Sequence, residues 1–219
     1  MFDLHTHTVL SDGVLCPAEL AQRCFVKGYR GLVIADHCDH GTVGMVVPPL
    51  AEFCAAMDGR YGQMRILPGC ELTHVPPDAI AELAERAREL GAAAVLVHGE
   101  TIVEPVREGT NRAAIEAGAD VLVHPGLITP EDVALAAEKG VRLELSGRKG
   151  HCFTNGHVAR LALECGALLA FGSDGHSPGD YPSRDQAERI LTGAGFSQGQ
   201  VATVFGNNAA FFANDDSGQ

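Results

Sequence analysis

Short, nearly uninterrupted apolar runs alternate along the chain with longer stretches whose apolar residues recur at helical spacing. The apolar runs predict strands at Phe2–His5, Leu32–Ala35, Ile66–Glu71, Ala94–Val97, Val121–Val123, Arg142–Leu145 and Leu168–Phe171. Runs without polar alternation belong to strands buried on both faces, as in a parallel sheet covered by helices. The intervening stretches predict helices at Pro17–Lys27, Leu50–Met57, Pro77–Leu90, Arg112–Glu116, Pro130–Lys139, Asn155–Glu164 and Arg184–Leu191. Pro17 and Pro130 suit a first helical turn, where a missing N–H costs nothing, and Thr129 is placed to cap the second of these. Gly28, Gly91, Gly118, Gly140 and Gly166 follow helical stretches, as helix-ending glycines do. The repeated order of helix, glycine, strand and polar tip predicts a (β/α) barrel of about seven strands. No glycine-rich phosphate loop follows the first strand, so a dinucleotide-binding fold loses its main support. No linker interrupts the pattern. One domain is expected over residues 1–212, with one or two short helices between Ser197 and Phe212 closing the barrel and a frayed tail at 213–219.

Composition narrows the class. Of 219 residues, 46% are apolar, enough for a substantial core. No run approaches the ~20 residues of a membrane span. Nothing at the N-terminus resembles a basic segment followed by an apolar stretch, so a cytoplasmic protein is expected. Lys and Arg number 16 against 28 Asp and Glu, a net charge of −12, which argues against broad binding of long nucleic acids. The seven cysteines are odd in number and form no C-x-x-C pair, which disfavours a disulfide framework or a zinc finger. Reduced, mostly buried thiols are the expectation.

The candidate chemistry lies where the predicted strands end. His5 closes the first strand and His7 follows with the same facing, by the two-residue period of a strand. Asp12 lies in the next loop. His37 follows the second strand, Glu71 ends the third, and His98 and His124 follow the fourth and fifth. Asp174 and His176 come just after the seventh. In a barrel these tips share one mouth, and imidazoles mixed with carboxylates are what divalent transition metals prefer. A single histidine after a strand is ordinarily a loop residue; six tips carrying the same donor types point to a shared metal site.

In their order, His5-Thr6-His7, Ser11-Asp12-Gly13, Asp36-His37, Gly69-Cys70-Glu71, His98, His124-Pro125 and Ser173-Asp174-Gly175-His176 resemble the motifs of the PHP (polymerase and histidinol phosphatase) family. The resemblance runs from residue 2 to about residue 212. It implies a distorted, TIM-like (β/α)7 barrel with a trinuclear metal centre and phosphoesterase activity. It also implies that the metal ligands are His5, His7, Asp12, His37, Glu71, His98, His124, Asp174 and His176. Two or three divalent ions, Zn, Mn or Fe, are expected, and a metal-bridging hydroxide would attack phosphorus. Glu71 and Asp174 are the expected bridging carboxylates, while His176 or Asp12 would protonate the leaving group.

The sixth strand has no ligand set. Its tip instead offers Arg148 and Lys149, which suit phosphate, and Arg184 is a third cation considered for that role. The long connection from Gly99 to Asn111, with Glu100, Glu104 and Arg107, reads as a lid or as an ordinary loop. His40 and His74 read as surface residues, and His151 and His157 as side chains able to contact substrate. The expected partner is a small phosphorylated substrate such as histidinol phosphate. A phosphodiesterase or nuclease of the same family, and a non-catalytic metal-binding regulatory module, are the alternatives.

Overall fold

The structure is a computed structural model that describes residues 1–215, with side chains to residue 213. Its strands are β1 (Phe2–Thr6), β2 (Gly31–Ile34), β3 (His37–Cys38), β4 (Arg65–Leu72), β5 (Ala94–His98), β6 (Val121–Val123), β7 (Arg142–Ser146) and β8 (Leu169–Gly172). All pair in parallel, in the order β1-β2-β4-β5-β6-β7-β8. β3 continues the line of β2, because both hold the same register on β4: Gly31 lies opposite Arg65 and His37 opposite Glu71. The eight strands therefore make seven staves. β8 returns to β1 through a parallel bridge from Thr6 to Gly175 and a bond from the Asp174 N–H to the His5 carbonyl (2.9 Å). The result is the distorted TIM-like barrel.

Outside it lie α1 (Pro17–Val26), α2 (Val43–Met57), α3 (Ile80–Glu89), α4 (Thr110–Glu116), α5 (Pro130–Lys139), α6 (Asn155–Cys165), α7 (Arg184–Gly193) and α8 (Gln198–Asp215). Short 3-10 turns at Pro77–Ala79 and His151–Thr154 lead into α3 and α6. α2 departs most from expectation. It begins at Val43 rather than Leu50 and carries Pro48 and Pro49 inside it. Its stripe of Val43, Val46, Val47, Leu50 and Cys54 is buried, and that burial offsets the backbone bonds the prolines remove. Of the one or two short helices expected at the terminal segment, the structure has one, and it is long, 18 residues. Residues 213–215 of the expected frayed tail continue it, and residues 216–219 lie outside the described residues. Among the described residues no helix is long and apolar enough to cross a membrane.

Two apolar layers result. Leu32, Ile34, Leu72, Val95, Val97, Leu143, Leu145 and Phe171 face outward to the helices. Leu4, Val33, Ala35, Leu67, Ala94, Leu96, Val121, Val123 and Ala170 fill the barrel, and Phe211 and Phe212 of α8 plug its floor. α8 also closes the seam. Asn208, fully buried, donates from Nδ2 to the carbonyls of Phe2 (3.0 Å) and Phe171 (2.7 Å), while its Oδ1 accepts the Phe171 N–H (3.0 Å).

Candidate metal centre

Strand periodicity carries three side chains from this inner layer to the mouth. Val33 and Ala35 lead to His37, Leu67 and Gly69 to Glu71, and Ala94 and Leu96 to His98. β1 and β6 need a local break. In β1 the register against β2 shifts between Asp3 and Thr6. This bulge lets His5 and His7 follow Leu4 to the same side. In β6, Val123 faces the core and His124 turns inward through a φ of 30°. Asp174 (φ 51°) and His74 (φ 54°) are likewise left-handed, a conformation costly for residues with a Cβ.

All nine side chains meet at this mouth. Glu71 lies at the bottom, fully buried, with five imidazole nitrogens around it: His37 Nδ1 at 2.6 Å, His5 Nε2, His98 Nδ1 and His124 Nε2 each at 3.4 Å, and His7 Nε2 at 3.7 Å. Asp174 Oδ1 is 3.4 Å from His7 Nε2 and its Oδ2 is 3.8 Å from His124 Nε2. Asp12, at the exposed lip, is 3.1 Å from His176 Nε2 and 3.3 Å from His37 Nε2. The donor atoms fall into overlapping groups: His7, Asp12, His37 and His176; His5, His7 and Glu71; and Glu71, His98 and His124. Within each, they lie within 4.8 Å of one another.

The donor set fits divalent ions. Neither oxygen of Glu71 makes a well-directed hydrogen bond, although His37 Nδ1 lies 2.6 Å away and four further imidazoles surround it. Buried carboxylate oxygens are ordinarily satisfied, and a cation shared among these atoms would satisfy them. The protonation pattern leads to the same conclusion. Burial pushes His7 down to about 4 and His98 to about 3, leaving neutral imidazoles able to donate a lone pair. Burial also opposes charge on His37, but Glu71 and Asp12 outweigh it and hold the ring at about 10. Burial is likewise outweighed at His5, which Glu144, Asp174 and Glu71 pull upward. Glu71 and Asp174 are held below the usual carboxylate range by the surrounding imidazoles, against the effect of burial. Protons thus supply part of the positive charge that ions would bring.

Behind the mouth stands a layer that fixes the rings. Glu144 is buried, and its Oε1 accepts from His5 Nδ1 at 2.7 Å, while its Oε2 accepts the His124 N–H at 3.0 Å. Gly172 makes room for it, since a Cβ there would fall 2.0 Å from Glu144 Oε1 and 2.7 Å from the His5 Cβ. Asp36 accepts from Thr8 N, Thr8 Oγ1 and Ser11 Oγ, which folds the loop carrying Asp12. Asp3 accepts the N–H groups of Ser173 and His5. The sequence reading gave these carboxylates no role. The available signal was a charged residue inside an apolar strand, as in Leu143-Glu144-Leu145.

The other candidates separate clearly. Arg148 lies in the mouth. Its guanidinium is 2.8 Å from His176 Nδ1, donates to the Asp174 carbonyl and lines a cavity of about 250 Å³ with Asp12, His37, His98 and His124. Lys149 is exposed in an adjoining depression of about 620 Å³ that shares Arg148 and His176 with this cavity. Arg184 is elsewhere. It pairs with Glu188, stacks on Phe205 with 3.7 Å to the ring centre, and its charge is felt at the Met1 amino group, before β1 begins. The chain after His176 runs down the barrel wall, where Pro182 accepts from Tyr29, and so carries Arg184 away from the mouth. His74, expected on the surface, is half-exposed at the rim, with its ring centre 5.1 Å from that of His98. His151 is buried and stacks on His124 at 4.1 Å. His157 is bonded to the Ile128 carbonyl, outside the cavity, and His40 is exposed. Four of the seven cysteines, Cys24, Cys38, Cys54 and Cys70, are buried.

No family model matches the chain. An uncharacterized protein of Methanocaldococcus jannaschii is 39% identical over 201 residues, covering 91% of this chain and 92% of its own. A probable phosphatase of Shewanella pealeana is 28% identical, over 90% of this chain and 85% of its own. A 5'-3' exoribonuclease of Escherichia coli is 25% identical over 89% of this chain, which spans 62% of that protein. Among solved structures, histidinol phosphate phosphatase from Lactococcus lactis, crystallised with zinc, L-histidinol and phosphate, superposes with a TM-score of 0.61. It covers 90% of this chain and 94% of its own, at 15% identity, a likeness of fold.

Proposed function

This chain belongs to the polymerase and histidinol phosphatase family, and from that premise we propose that it is a metal-dependent phosphatase hydrolysing a small phosphate monoester. The observation that carries this reading is Glu71, a buried carboxylate ringed by five imidazoles with neither oxygen in a well-directed hydrogen bond. The nine side chains at the mouth would hold up to three divalent ions, with zinc, manganese and iron as candidates. When bound, such ions supply charge neutralisation at the phosphate oxygens and acidify water at neutral pH.

The chain's own groups do the rest. Arg148 presents its guanidinium to the cavity and can bind a phosphate oxygen, orienting the ester toward Glu71. The buried Glu144 carboxylate holds the His5 ring and the His124 backbone in place, so the site is arranged before substrate arrives. Asp12 and His176, in contact at the lip, are placed to hold the proton that the departing alkoxide needs. The adjoining depression beside Lys149 offers room for the alcohol half of the ester.

The test is hydrolysis of p-nitrophenyl phosphate and of its bis-ester, by protein reconstituted with Zn²⁺ or Mn²⁺ and by chelated protein. Turnover of the monoester by the metallated form alone is expected. Faster turnover of the diester would favour the second reading, a nuclease-like activity, which the Escherichia coli relative's name supports. Histidinol phosphate and a panel of sugar and nucleoside monophosphates would then define the substrate. No turnover of any ester by protein with a full ion complement would leave a binding module.

A further inference from the structure

Two carboxylates approach imidazoles of the mouth from behind, and they differ in where they come from. Glu144 stands on β7, 1% exposed, and accepts from His5 Nδ1 while His5 Nε2 faces Glu71. Glu104 stands on the irregular connection between β5 and α4, 39% exposed, and meets His98 in the same way. Its Oε2 lies 3.0 Å from His98 Nε2, while His98 Nδ1 faces Glu71 at 3.4 Å. An imidazole has one lone pair for an ion; its other nitrogen carries the proton and needs an acceptor. Glu104 is therefore placed to accept from His98, not to compete with it.

The connection is built to bring Glu104 back over the mouth. At its base the Glu100 carboxylate accepts the N–H groups of Gly109 (3.1 Å) and Asn111 (2.9 Å). Thr101 Oγ1 is bonded to His151 Nδ1 at 2.8 Å, and the Val103 side chain packs over Gly150. The second oxygen of Glu104 lies 3.3 Å from His151 Nε2, and His74 Nε2 approaches Oε2 at 3.5 Å. One exposed carboxylate thus links three imidazoles, one ending β5 and two from the connections after β4 and β7.

We propose that Glu104 is a positioning residue for His98, so that seating of the 99–109 connection and retention of the ion held by Glu71, His98 and His124 are coupled. This rests on the metal-centre reading above and deepens it. The connection then acts as a clip on one ion position, while none of its residues bonds directly to His5, His7, Asp12, His37 or His176 among the described contacts.

The experiment measures bound Zn²⁺ per chain during graded competition with a chelator, for wild type, Glu104→Ala, Glu104→Gln and Glu108→Ala. Glu108 is exposed on the same connection and carries the same charge. In Glu104→Ala, one ion should be lost at about 10- to 100-fold lower chelator competition. The others should be released as in wild type. Glu104→Gln, which keeps a weaker acceptor, should fall between, and Glu108→Ala should match wild type. Release curves for Glu104→Ala that superpose on wild type overturn the proposal. So does equal weakening in Glu108→Ala, which would make the effect one of net charge. Wild-type protein that takes up no Zn²⁺ fails earlier, and then it is the metal-centre reading that falls.

Discussion

The two ends of the barrel are built from the same strands and obey opposite rules. At the floor, Phe2, Phe211 and Phe212 pack ring on ring, and Phe212 lies 5.1 Å from Phe2. Two arginines meet this plug: the Arg142 guanidinium rests 5.1 Å over the Phe211 ring, and Arg65 donates to the Phe212 carbonyl. At the rim, a few residues along the same strands, the interior holds Glu71, Asp174 and the imidazoles of His5, His7, His37, His98, His124, His151 and His176, with polar atoms outside any well-directed hydrogen bond at Glu71, His7 and His124. Among the described residues, the non-glycine positions with positive φ, His74, His124 and Asp174, all lie at the rim. The floor gains stability by removing apolar surface from water; the rim spends conformational and desolvation free energy to gather donors in one place. A chain can hold such a rim only because its other end is apolar and closely packed.

Substitutions at the two ends should therefore be separable. Glu71→Ala should lower turnover of the monoester by about 10³-fold or more, since several kcal/mol of ion-dependent stabilisation is lost. Elemental analysis should show ion loss in parallel. Phe212→Ala should do the reverse: urea unfolding should show a loss of about 3–5 kcal/mol, with the ion content of the folded fraction unchanged. A fall in that ion content would break the division between floor and rim.

Asp3, on β1 between the two ends, sharpens it further. Burial, partly offset by the Ser173 and His5 N–H groups, raises its carboxyl from 3.8 to about 6. Because the folded value is the higher one, the folded state favours the proton. Stability from this group is full below pH ~4 and declines as pH rises through about 6. Asp3→Asn keeps an acceptor for both N–H groups and removes the titration. Metal-free wild type should lose about 2–3 kcal/mol relative to this variant between pH 4 and 7, read from urea midpoints. A constant difference across that range would refute the buried-charge account. The smallest effect is expected at Arg148→Ala, where KM should rise roughly tenfold through loss of one charged hydrogen bond. Bound ions should be retained; an unchanged KM would remove Arg148 from phosphate binding.

Much of this architecture was legible because a buried parallel strand writes its facing into every second residue. Leu67-Pro68-Gly69-Cys70-Glu71 and Ala94-Val95-Leu96-Val97-His98 each deliver a donor where the period requires. What escaped the sequence was whatever depended on a break in that period or on a distant contact. The bulge in β1 and the left-handed turn at His124 are backbone events with no residue signature of their own. Glu144 reads as an odd charge in an apolar run until His5, 139 residues away, is seen beside it. The prolines of α2 hid its first turns, because local propensity disfavours what tertiary burial permits. Arg184 was misplaced because the seven residues between it and His176 do not say which way they run. His74 read as a surface residue and His151 only as a side chain able to contact substrate; that both meet Glu104 depends on the 99–109 connection folding back, which no local pattern dictates.

The clamp made by Asn208 has a consequence for assembly. It joins the carbonyl of Phe2 to both backbone groups of Phe171, so the first and last staves are stitched together by a side chain that follows Phe2 by 206 residues. His5 and His7 stand on one side of that stitch, Asp174 and His176 on the other. The sheet can pair strand by strand along the chain, yet the two halves of the donor set are tied together only once α8 docks.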